Sequence, residues 1–224
     1  RKQNVNPEEA TRIDLEELMN GGPPKDGIPS IDTPEFDTAT TTPFQDDDIV
    51  IGVFINGEAK AYPYNIMNWH EIVNDTVGGV NVTVTYCPLC DTIVAFERGN
   101  TTFGVSGKLY QSCLVMYDRA DDTLYAQPWA MGVVGPQANQ TLERIPAAKT
   151  TLADWVAQHP DTQILSTRTG HTRDYQGYPY GDYDTNQQLI FPVRNQEQLN
   201  LHPKAIVSYV WQADEQTPHN QFSG

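Results

Sequence analysis

The sequence predicts an α+β fold: a largely antiparallel β-sheet core with a few short helices and an extended N-terminal arm. Three observations carry this expectation. From residue 49 onward, short apolar or alternating runs recur at close intervals, separated by Gly, Asn and Asp turns. Helical spacing or capping shows in only three short stretches. The stretch before residue 49 is rich in Pro, Thr and Asp and holds no sustained period. The expected organisation is an arm over residues 1–48 and one α+β domain over residues 49–224.

In the arm, Asp14 is positioned to cap a short helix, with Glu17 as its reciprocal partner. Leu15, Leu18 and Met19 give it a small apolar face, and Gly21-Gly22-Pro23-Pro24 ends it. The near-continuous apolar run 49–55 reads as a buried strand. Asn56-Gly57 then calls for a type I′ hairpin, which needs positive φ at both central residues. Ile66, Trp69, His70 and Val73 fall on one helical face, with Asn65 as the expected cap. Val80, Val82, Val84 and Tyr86 alternate with Asn81, Thr83 and Thr85, a half-buried strand that runs into Cys87. Further strands are expected at 92–98, 101–107, 109–117 and 123–127. Gly104 and Gly107 mark a bulge or a close backbone approach. Thr151 and Asp154 open a helix carrying Leu152, Trp155 and Val156, which stops before Pro160. The runs 162–166, 189–193 and 205–211 read as the last strands.

Composition narrows the partners. The 224 residues carry 29 acidic against 14 basic side chains, a formal net charge of −15. Such a chain repels nucleic acid and anionic lipid. No apolar run approaches the roughly 18 residues that would span a membrane. Asn74, Asn81, Asn100 and Asn139 each begin an N-x-Thr acceptor pattern, which leans toward export and glycosylation. The segment 171–183 carries His171, Arg173, Asp174 and four tyrosines. It suits contacts with a glycan, a protein or a second copy, or a loop packed over the sheet.

The chemistry concentrates in Cys87-Pro-Leu-Cys90-Asp91. A thioredoxin-type pair opens a helix whose amides lower the thiol pKa, whereas here a β-branched run follows the second cysteine. A strand–turn–strand knuckle brings two thiolates together, and Asp91 tolerates the left-handed backbone that such a turn asks for. The spacing leaves a metal site, a disulfide and inert thiols all open. For a metal, His70 is the best third ligand and Cys113 a fourth, and soft sulfur with imidazole suits copper(I) or zinc. The zincin pattern H-E-x-x-H is incomplete, because Asn74 stands at its second histidine.

The strings GGPPKDGIP, NGEAKAYPYNIMNWHEIVND, VTYCPLCDTIVAFER, FGVSGKLYQS, LVMYDR and TTLADWVAQHPDTQIL resemble, in order, a bacterial and archaeal family known only as a domain of unknown function. The resemblance covers residues 20–212 and implies an exported or lipid-anchored protein. Its diagnostic polar positions fall here on His70, Glu71, Asn74, Asp75, Cys87, Cys90, Ser106, Tyr110, Asp118 and Arg119. Asp91 departs from the family's small residue, and Cys113 stands where relatives carry another residue.

Because those strings join the helix histidine to the cysteine turn, the resemblance favours the metal reading. The expectation is an exported protein binding copper, ahead of zinc, through His70, Cys87, Cys90 and Cys113. Glu71 and Asp118 would stand behind these ligands and handle protons. The alternative is a glycosylated surface protein that self-assembles, with Cys87 and Cys90 joined as a structural disulfide.

Overall fold

The computed structural model describes residues 11–194 and 201–206. In chain order the strands are β1 (Leu18–Asn20), β2 (Phe36–Asp37), β3 (Ile49–Ile55), β4 (Glu58–Pro63), β5 (Ile72–Val77), β6 (Val80–Cys87) and β7 (Thr92–Glu97). They continue with β8 (Phe103–Tyr110), β9 (Cys113–Asp118), β10 (Leu124–Ala126), β11 (Met131–Val134), β12 (Arg144–Ile145), β13 (Ala147–Thr151) and β14 (Gln163–Leu165). Two short helices interrupt them, α1 (Tyr64–His70) and α2 (Leu152–Gln158). The strands form three sheets, ordered β1-β8-β9-β10-β11, β12-β7-β6-β5 and β13-β3-β4-β14-β2. Within the sheets only β4 and β14 pair in parallel. The α+β, largely antiparallel expectation holds.

The second sheet is the middle layer. Val82, Val84 and Tyr86 of β6 join the core shared with β3, β4, α1 and α2, while Cys87 joins a second core with Phe96, Phe103, Val105 and Met116. Thr83 and Thr85 are therefore fully buried as well. The expected half-buried β6 is wrong, because a sheet covers each of its faces. Thr85 Oγ1 meets this by donating to the Val94 carbonyl at 2.7 Å.

Other elements move from their expected places. The arm helix is a single 3₁₀ turn at Leu15–Glu17; Asp14 does cap it, accepting from the Glu16 amide, but Leu18 and Met19 leave it to pair with β8. The helix expected through Val73 stops at His70, and its cap position is Pro63 rather than Asn65. Glu71 takes φ 60, which breaks the helix and sends Ile72–Val77 back alongside β6. The run 109–117 is the end of one strand and the start of the next, turning at Gln111-Ser112 with φ 51 and 61. Residues 189–193 form no strand. The strand expected at 205–211 lies largely outside the described residues, as does His219.

Several expectations hold. Asn56 and Gly57 turn with φ 49 and 87, as a type I′ hairpin requires. The β8–β9 register shifts between Val105 and Lys108, where Gly107 sits at φ 74 and packs against the arm at Pro23. Thr151 caps α2 by accepting from the Asp154 amide.

The arm is tied down along its length. Ile31 bridges Val73 in parallel, with amide bonds from Ile31 to the Ile72 carbonyl and from Asn74 to the Ile31 carbonyl. Further on, Arg168 pairs with Glu35 and Asp37 of the arm.

Gly52 on β3 lets α2 dock closely: a methyl group added there would meet Trp155 Cε3 at 2.3 Å. We expect Gly52→Ala to cost about 1–3 kcal/mol by overpacking against the indole. Urea unfolding should show a lower midpoint at unchanged slope.

Candidate functional site

Cys87 ends β6 with its side chain on the face turned toward the first sheet, and it is 1% exposed. The Pro88-Leu89 turn closes with a Cys90 amide bond to the Cys87 carbonyl at 3.3 Å. Asp91 then takes the expected left-handed backbone, φ 46, and leads into β7. It is pinned by Lys149 and by the hydroxyls of Tyr64 and Tyr86. From across the layer, the turn at Gln111-Ser112 delivers Cys113, and the next amide, Leu114 N–H, donates to Cys87 Sγ at 3.3 Å. The Cys90 thiol lies close enough to those of both Cys113 and Cys87 for each to perturb its pKa. All three cysteines are free thiols, so no disulfide joins Cys87 to Cys90.

A tyrosine-rich segment roofs this cluster. Tyr183 is buried and donates to the Leu89 carbonyl at 2.9 Å. Tyr180 donates to Glu71 Oε1 at 2.8 Å. Trp69 Nε1 donates to the Gly177 carbonyl at 3.2 Å. Tyr175 and Tyr183 of the segment 171–183 are thus turned inward over the sheet, while His171–Asp174 stay exposed.

His70 and Glu71 diverge although they are adjacent. His70 is fully buried, and both ring nitrogens are taken, Nδ1 by the Pro29 carbonyl and Nε2 by the Tyr175 hydroxyl, each at 2.7 Å. Nδ1 must donate to a carbonyl, so Nε2 accepts from Tyr175. Burial lowers the His70 pKa to about 4, and the ring is neutral at ordinary pH. Its aromatic neighbours are Tyr175 and His171. The expected His70 ligand is therefore occupied by protein partners.

Glu71 is the acidic group that lies close enough to Cys87 to raise the thiol's pKa. It is 6% exposed, and burial raises its carboxyl to about 7 against the opposing bond from Tyr180. Burial likewise pushes the Cys87 thiol well above its usual range, helped by Cys90. Cys90 rises chiefly through its bond with Cys113. The Cys87 and Cys90 thiols are thus held toward their protonated form, and a negative charge there is costly unless a cation accompanies it. Glu71, Asp91, Gln111 and Ser112 around it all hold positive φ without being glycine. Such backbones are kept where the surroundings over-determine them, often at functional sites.

Asp118 does not belong here. It ends the strand that Cys113 begins, about 16 Å away at strand rise, and accepts from Thr101 and the Ala120 amide. Among the described residues no group of three His, Cys, Asp or Glu side chains is arranged to hold a metal ion. The sequon at Asn74 is also closed to a glycan. Asn74 is 2% exposed, and its amide bonds Asp32, the Phe103 backbone and Thr83. Asn100 and Asn139 are exposed, and Asn81 is half-buried with its amide on the Gly99 carbonyl. The sequence reading missed Tyr175, Tyr180 and Tyr183 as individual partners of the site. Their crowding in one segment was visible, but their directions depend on the roof's path.

The chain matches, over residues 25–222, the family described as a protein of unknown function, DUF3179, and belongs to it. No curated protein and no solved structure matches the chain. No helix among the described residues is long and apolar enough to cross a membrane.

Glu71 makes stability depend on pH. Between its ordinary 4.5 and about 7, the folded chain keeps a proton that the unfolded chain releases. Its contribution is complete below about pH 4.5 and is lost as pH rises through about 7. His70 acts oppositely, its contribution being lost as pH falls from 6.5 toward about 4, but it is common to wild type and variant. In metal-free protein, Glu71→Gln should gain on wild type by up to a few kcal/mol as pH rises from 4.5 to beyond 7. Urea midpoints across that range check this; parallel curves for the two proteins would refute it.

Proposed function

We propose that this member of the DUF3179 family is an exported copper(I)-binding protein whose ligands are the thiolates of Cys87 and Cys90, with Cys113 beside them. The observation that carries the reading is the meeting of three free thiols, Cys87 buried and Cys90 and Cys113 half-buried, with the Leu114 amide donated to Cys87 Sγ. Thiolate sulfur selects soft cations. Zinc, kept open from the sequence, fits less well, since its closed sites take four convergent donors. Monovalent copper is satisfied by two thiolates, so it needs neither His70 nor a third convergent group. Binding would release the thiol protons, and the bound cation would offset the cost of charge in a site where burial holds Cys87 protonated. Export is supported by the acidic surface charge and by the exposed sequons at Asn100 and Asn139.

The test is an anaerobic titration of reduced protein with copper(I) against a chromophoric chelator. One ion per chain is expected. Cys87→Ser and Cys90→Ser should each weaken binding by more than the roughly 10–100-fold that groups behind the ligands cost, while His70→Ala keeps the stoichiometry. A wild-type chain that takes up no copper sinks the reading. So does a single titratable thiol in the denatured, unreduced chain, which would return the cysteine pair to the structural disulfide.

A further inference from the structure

We propose that Lys60 and Asp75 are joined autocatalytically by an isopeptide bond, which cross-links β4 of the third sheet to β5 of the middle sheet. This site is separate from the thiols and does not depend on copper. Lys60 Nζ lies 3.1 Å from each carboxylate oxygen of Asp75, and both side chains are 7% exposed. The amine thus touches both carboxyl oxygens, beside the carbon it would attack. The Phe36 ring covers the amine at 4.2 Å from its centroid and shields it from water.

A buried ion pair would account for the two charges alone. The surrounding groups do more than neutralise. Tyr62 O–H donates to Asp75 Oδ2 at 2.7 Å, and the Thr76 amide donates to Oδ1 at 2.7 Å. Both carboxyl oxygens are therefore polarised from behind, which favours attack at carbon and stabilises the oxyanion that follows. The Thr76 carbonyl accepts from Nζ at 2.8 Å and holds the nitrogen in place. Glu58 stands on the other side, with Oε1 3.6 Å from Nζ and Oε2 fixed by the Gly78 amide. Its side chain is 37% exposed, so it links the buried pair to solvent. Nucleophile, electrophile, oxyanion donors and an acid–base group are thus held together before reaction, the arrangement that makes intramolecular steps fast.

The step balances without a co-reactant. One proton passes from the Lys60 ammonium to Asp75, leaving a neutral amine and a carboxylic acid. The Nζ lone pair attacks Asp75 Cγ and forms the C–N bond. Glu58 takes a proton from that nitrogen and delivers it to the departing oxygen. The C–O bond breaks, one water leaves, and an amide remains. Nothing is oxidised or reduced.

The experiment is intact-mass and peptide mass spectrometry of the folded, unglycosylated full chain. Wild type should weigh one water less than its sequence, and its digest should contain a branched peptide joining the Lys60 and Asp75 segments. Lys60→Arg should carry the full mass. Glu58→Gln should fold and carry the full mass, showing that burial alone does not form the bond. A wild-type chain of full mass overturns the proposal, as does a water loss confined to a linear peptide such as a succinimide at Asp26-Gly27. A branched peptide that persists in Glu58→Gln overturns the role of Glu58.

Discussion

A full side chain sits at residue 71 on a backbone that favours glycine, φ 60, and the route of the chain turns on it. Had the helix continued, Ile72 and Val73 would have stayed on its face and the middle sheet would have lost its edge strand. Instead the chain reverses, and the Tyr86 amide reaches the Glu71 carbonyl at 2.8 Å. β5 then pairs with β6 residue by residue from Ile72–Thr85 to Val77–Val80. The same reversal sends His70 toward Pro29 and Tyr175 and brings Glu71 near Cys87. Backbone strain of this sort costs on the order of 1–3 kcal/mol, and here it is offset by burial on both sides of the strand it starts.

Strand alternation, the Asn56-Gly57 turn, the cap at Thr151 and the left-handed Asp91 were all legible in the sequence, because each is local chemistry within a few residues. What could not be read was set by contacts remote in sequence. The helical period from Ile66 to Val73 was real as a pattern, yet Ile72 and Val73 serve different cores on the two faces of one strand. Periodicity does not separate a helix face from a strand buried twice. Asn74 looked like a surface acceptor because its neighbours fit a three-residue pattern; its burial follows from Asp32, Thr83 and Phe103 converging on one amide. The cysteine turn was recognised, and Cys113 was named beside it, but the partners of His70 on α1 lay beyond local reading: Pro29 and Tyr175 hold its ring nitrogens.

The two buried polar centres of the middle sheet differ in how charge is handled. At the thiols, groups of like tendency are packed together, and Cys87 and Cys90 are held toward the neutral form. At Lys60 and Asp75, opposite charges meet with every close oxygen and proton spoken for. Both lie at sheet-to-sheet contacts, where exclusion of water strengthens whatever electrostatics is present.

The anchoring of the arm bears on how the polypeptide folds. Ile31 finds its hydrogen-bonding partners at Ile72 and Asn74, whereas Glu35 bonds Ser166 and Arg168, the latter 133 residues further on. Closing a loop of that span costs more chain entropy than closing the hairpins it encloses, so the tie between Glu35 and Arg168 belongs to the late, non-local part of folding.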